Sequence, residues 1–81
     1  MAVKKRVKFT FPEALVTEPV IYDLGRRFQI VTNIRRADVR EDMGWVVLEL
    51  HGEENEISAG LDWVIGTGVR VDPVGGDVLE G

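Results

Sequence analysis

Ile30-Val31-Thr32-Asn33-Ile34-Arg35-Arg36-Ala37-Asp38-Val39 is the stretch from which the rest of the chain can be read. Ile30, Thr32 and Ile34 alternate with Val31, Asn33 and Arg35, the period of two expected of a strand with one face buried. Beyond Arg36 the apolar positions become Ala37 and Val39, a change of parity. A strand keeps its apolar side chains on one face through such a slip only by absorbing an extra residue, so a β-bulge is expected near Arg35 and Arg36. The polar, Gly-ended connection Glu41-Asp42-Met43-Gly44 leads into Trp45 to His51, where Val46, Leu48 and Leu50 share a face, and the two segments read as a hairpin.

On the N-terminal side, Val7, Phe9 and Phe11 alternate with Lys4, Arg6, Lys8 and Thr10, which predicts another half-buried strand, closed by Pro12. Glu18-Pro19 reads as a helix start, because proline is tolerated in a first turn and acid favours the positive end of the dipole. Val20, Ile21, Leu24 and Phe28 then follow at helical spacing, with Arg26 and Arg27 near the end. On the C-terminal side, Gly52 and the acids Glu53, Glu54 and Glu56 precede Ile57, Leu61, Val64 and Ile65, a second amphipathic helix ended by Gly66 and Gly68. Val69 and Val71 flank Arg70 in a last short strand closed by Pro73.

The order is therefore β-α-β-β-α-β. Each helix carries one apolar stripe that needs a sheet to cover, and an α+β ferredoxin-like βαββαβ two-layer sandwich with a four-stranded antiparallel sheet meets both demands. Its usual strand order, 4-1-3-2, places the second and fourth strands at the edges. With 81 residues there is room for a single core, so one domain over residues 1–74 is expected, with an aperiodic and flexible C-terminal tail over residues 75–81.

Composition removes several classes of function. The 44% hydrophobic and 30% charged content is that of a folded chain. No cysteine is present, which excludes disulfides, thiolate zinc or iron–sulfur ligation and thiol nucleophiles of the chain's own, and the one histidine, His51, builds no zinc site alone. No apolar run reaches membrane-spanning length and no secretory signal opens the chain, so it is expected to be cytoplasmic, with no membrane insertion. Charge is split: nine Lys/Arg against four Asp/Glu up to Arg40, then one against ten from Glu41 onward. Because the basic residues alternate along a strand rather than forming a run, pairing between the halves is the simpler expectation than nucleic-acid binding.

The sheet face away from the helices is expected to display Val31, Trp45 and Val47 as an apolar patch beside Lys4, Arg6 and Lys8, a surface suited to self-association. A base-stacking platform for RNA needs aromatics on the central strands, whereas Phe9 and Phe11 point inward. Glu49 and His51 share a face without a nucleophile beside them, Gly66-Thr67-Gly68 follows a helix instead of opening one, and Glu53, Glu54 and Glu56 suit a helical first turn without any ion. Trp63 reads as a packing residue of the second helix. Neither an enzyme nor a metal or cofactor is expected.

Phe28-Gln29-Ile30-Val31-Thr32-Asn33-Ile34-Arg35, with Ala37, Gly44, the strand up to His51-Gly52 and Val69-Arg70-Val71, resembles the NIL domain. Phe9-Thr10-Phe11-Pro12 and Glu18-Pro19 extend the resemblance, which runs from about Val7 to Val74. Members of that family form the C-terminal regulatory domain of the ATPase subunit of methionine-importing ABC transporters, where they dimerise and bind methionine. Others are fused to iron–sulfur modules of sulfur metabolism. The resemblance implies a ferredoxin-like fold and a stand-alone, non-enzymatic regulatory domain binding a small amino acid such as methionine at a homodimer interface. It implies Asn33, Ile34 and Arg35 as ligand-binding residues, although the third position of the family's Asn-Ile-Leu motif is here the cation Arg35. The alternative is an interaction module, without a small ligand, that docks a transporter ATPase or an iron–sulfur protein.

Overall fold

Alternation in the first segment produces strand β1 (Ala2–Phe11), in which Val7, Phe9 and Phe11 are buried and the intervening side chains are not. The computed structural model describes residues 2–74, and the tail expected at 75–81 lies outside them. After β1 come a 3-10 turn at Glu13–Leu15, helix α1 (Val20–Arg27), strands β2 (Ile30–Val39) and β3 (Gly44–Glu53), helix α2 (Glu54–Thr67) and strand β4 (Arg70–Pro73). The sheet is antiparallel in the order β2-β3-β1-β4, the arrangement expected of a ferredoxin-like sandwich.

The parity slip in β2 is resolved as expected. Ile34 pairs with Leu48 and Arg36 with Val47, leaving Arg35 as the extra residue between them. Ile30, Thr32 and Ile34 before the bulge, and Ala37 and Val39 after it, thus all stand on the helix side, opposite Gly52, Leu50, Leu48, Val46 and Gly44. The core forms there, with Phe9, Leu24, Leu48, Leu50 and Val64 removed from solvent. Burial of each such side chain stabilises by about 1.5–3 kcal/mol.

Helix α2 presents Ile57, Leu61 and Val64, at i, i+4 and i+7, to the sheet. Ile65, expected on that stripe, lies one residue further round the helix and is exposed. At Gly60 an added Cβ would stand 2.7 Å from Cδ1 of Ile30 and 2.8 Å from Cδ1 of Leu24, so the two helices and β2 meet at the one residue without a side chain. The helix ends on Gly68, with φ of 106°, and its N–H donates to the Ile65 carbonyl.

Helix α1 stops at Arg27, one residue earlier than its apolar spacing suggests. Phe28 is already extended, and its ring packs on Trp63 at 6.2 Å between centroids. The connection to β2 is pinned by the Glu56 carboxylate, which accepts from the Gln29 N–H at 2.9 Å. The Arg27 guanidinium lies 5.0 Å from the centre of the Trp63 ring, so Trp63 is engaged in packing as expected. No helix among the described residues is long and apolar enough to cross a membrane.

Candidate functional site

A length mismatch creates an apolar cleft with a shape suited to a small ligand. Helix α1, at 8 residues, is about 12 Å long, whereas β2, at 10 residues, extends for about 33 Å. The helix runs back along β2 from the loop that joins it to the strand, so it covers β2 only in part. Ile34, Ala37 and Val39 face the helix layer with little above them, and Ile34 and Val39 remain 55% and 56% exposed. The resulting cleft has a volume of about 280 Å³. Phe11 and Val46 lie at its floor, Ile34, Ala37 and Val39 along β2, and Val16, Pro19, Val20, Ile21 and Tyr22 along the other wall. Glu18, the one acidic residue of the lining, stands just before the first turn of α1.

The size is at the small end of ligand sites, fitting a molecule of amino-acid dimensions, and the apolar walls suit an uncharged side chain. No cap is made by a side chain at the start of α1. The backbone N–H of Val20 donates to the Glu18 carbonyl and that of Asp23 to the Pro19 carbonyl. Those of Ile21 and Tyr22 belong to the first turn, where an α-helix offers no acceptor of its own.

The three motif residues are not brought together on one surface. Asn33 pairs with Glu49 on the sheet face away from the helices, Ile34 lines the cleft on the helix side, and Arg35 occupies the bulge between Ile34 and Arg36. Alternation makes this unavoidable, since neighbouring strand residues point to opposite faces. Ile34 therefore reaches an open cleft rather than the packed interior.

The three residues expected to form an apolar patch are also separated. Val31 stands opposite His51, whereas Val47 stands four register positions further along β3, about 13 Å away, and Trp45 six positions away. Between them Arg6 and Glu49 form an ion pair at 3.3 Å across β1 and β3. Trp45 and Val47 are neighbours on that face, and the Lys8 ammonium lies 5.1 Å from the centre of the Trp45 ring, so a cation already covers the indole. The Arg6–Glu49 pair joins the basic and acidic halves of the chain. The pairs Asp23–Arg26, Asp38–Arg40 and Arg70–Asp72 are local.

Glu49 is thus engaged by Arg6, and His51 faces Lys4 and Val31 across the ladder. Among the described residues no group of three His, Asp or Glu side chains is placed to hold a metal ion. Tyr22, Val16 and Ala37 were not singled out in the sequence as site residues. The signal for them is the mismatch itself: a strand whose apolar positions continue to Val39 opposite a helix only two turns long.

The family model for the NIL domain matches residues 5–73. The chain belongs to the NIL domain family. Among solved structures, this NIL domain is similar to the C-terminal domain of an ABC transporter/ATP-binding protein from Enterococcus faecalis. The two share 21% sequence identity and a TM-score of 0.76, over 90% of this chain and 86% of the other. At that identity the likeness establishes the fold. No curated protein matches the NIL domain described here.

Proposed function

We propose that this NIL domain is a cytoplasmic regulatory domain that works by binding rather than by catalysis, taking a small amino acid such as methionine into the cleft between α1 and β2. The observation that carries the reading is the cleft itself: about 280 Å³, walled by Phe11, Val20, Ile21, Ile34, Ala37 and Val39, and adjoining the first turn of a helix. An unbranched thioether side chain buries well against such walls, and each buried methylene contributes about 0.8 kcal/mol. First-turn N–H groups suit a carboxylate, and the Glu18 carboxylate suits an ammonium group. Tyr22, Ile34 and Val39 leave the cleft open on one side, and in a homodimer a second copy supplies the missing wall. The likeness to a transporter ATPase domain supports an ATP-binding transport subunit as the regulated partner.

Thermal-shift measurement with the twenty amino acids tests the reading. A ligand present at 100 times its Kd adds about 2.7 kcal/mol and raises the melting temperature measurably. Methionine is expected to raise it and glutamate to leave it unchanged. Absence of a shift with every amino acid would sink the proposal. Light scattering with and without methionine reports the dimer.

A further inference from the structure

The walls of the cleft are held in place to different degrees. Strand β2 is fixed by its ladder with β3 from Ile30 to Val39. Helix α1 is fixed by Val20 and Leu24, both buried, and beyond its end by the Glu56 carboxylate on the Gln29 N–H. Residues 12–19, between β1 and α1, supply Val16, Glu18 and Pro19 to the lining. Proline stands at both ends of this segment, and Pro12 and Pro19 have no N–H with which to join a ladder or a helix.

Among the described residues, the hydrogen bonds of this segment stay within it or run on to α1. The N–H of Leu15 donates to the Pro12 carbonyl at 2.9 Å, that of Val16 to the Glu13 carbonyl at 3.3 Å and that of Glu18 to the Leu15 carbonyl at 3.1 Å. Val20 and Asp23 of α1 donate back to the Glu18 and Pro19 carbonyls. What holds the segment to the body is apolar contact by Leu15 and Val16, both half-buried against the core. Leu15 seats on the turn that ends α2, where its Cδ1 would stand 3.3 Å from a Cβ added at Gly68. Val16, the next residue, lines the cleft instead.

We propose that residues 12–19 form a strap that closes on the bound side chain, and that Leu15 is the positioning residue on which it closes. The inference rests on the cleft as the ligand site and adds how that site is completed. Moving the strap toward Ile34 and Ala37 breaks no ladder and displaces no fully buried residue, and segments tied in this way open and close at low cost. Strand β2 and helix α1 cannot move likewise without disrupting the ladder or the core. Closure brings Val16 and Pro19 onto an apolar ligand, and contact from both walls increases its buried area. The strap stands across the cleft from β2, whereas the second copy meets the open side at Tyr22, Ile34 and Val39, so each closes a different gap.

Amide hydrogen exchange of the full chain by NMR, with and without saturating methionine, tests the strap, and calorimetry run alongside reports binding. Leu15 lies outside the cleft lining, so protection of its N–H reports closure rather than contact with ligand. Methionine is expected to slow exchange at Leu15 and Val16 by at least about ten-fold and to change the β3 amides far less. Leu15→Ala is expected to bind methionine about ten-fold more weakly, with that protection lost and the circular dichroism retained, and Leu15→Met to restore both. A Leu15→Ala variant that merely melts earlier, with affinity and ligand-dependent protection unchanged, would overturn the proposal. If Leu15→Ala does not fold, exchange in the unaltered chain decides by itself. Methionine binding without protection of the strap removes the strap alone, whereas absence of methionine binding removes the cleft reading and the strap together.

Discussion

The helix-covered face of the sheet has two ends built from similar residues and finished differently. Under α2 and the last turn of α1, Ile30, Leu24, Leu48, Leu50 and Ile57 are buried, and a methyl group added at Gly60 would displace the ends of Ile30 and Leu24. Under the first turn of α1, Ile34, Ala37 and Val39 are apolar too, yet with Tyr22 of the helix they line a cleft and face solvent. The lesson is that hydrophobicity alone does not decide burial. Coverage does, and α1 is too short to cover all of β2.

The comparison can be broken most forcefully at its closed end. Leu24→Ala removes a side chain with 0% exposure and is expected to cost about 2–5 kcal/mol in chemical denaturation. A loss well below this range would mean that the closed end is looser than its packing implies. Gly60→Val is expected to cost about 1–3 kcal/mol by overpacking against the side-chain ends of Ile30 and Leu24, measured the same way.

At the open end, the signs should separate. Ala37→Leu fills space that is already empty and is expected to change stability by no more than about 0.5 kcal/mol. It should nevertheless abolish the methionine-dependent rise in melting temperature, and a large loss of stability instead would show that the cleft is closed in solution. Ile34→Ala is expected to cost less than about 1 kcal/mol, because the side chain is already 55% exposed, while weakening methionine binding measured by calorimetry. The smallest effect belongs to the other face. Glu49→Gln, which breaks the partly exposed pair with Arg6, should shift stability by about 0–1 kcal/mol, and the difference should shrink at high salt.

Much of the fold was legible in local patterns. The alternation of Val7, Phe9 and Phe11 announced β1, and the parity change between Ile34 and Ala37 announced the bulge, because a two-residue period permits no other way to keep both sets on one face. The 3-10 turn at Glu13–Leu15 was not foreseen, as three residues carry no period to read. Ile65 was misplaced because it is adjacent to Val64, and apolar neighbours on a helix cannot both lie at the centre of one stripe.

The site was less legible. Alternation already separates Ile34, on the helix side, from Asn33 and Arg35, but it does not tell whether Ile34 meets packed core or the open cleft that the structure places there. Val31, Trp45 and Val47 were assigned to a common face, yet the distance between them depends on the hairpin register, which puts Glu49 and Arg6 in the intervening space.

By itself, then, the sequence determined most of the residues that turn inward, where strands and helices begin and end to within about two residues, and the family to which the pattern belongs. These are properties of short periods and of residues near one another in the chain. Only the tertiary structure decided that Ile34 and Val39 remain open to solvent, that Val31 lies on an exposed edge strand, and that Gly60 sits where the two helices meet β2. Each of those depends on how far one element reaches across another, and reach is set by packing between segments distant in sequence.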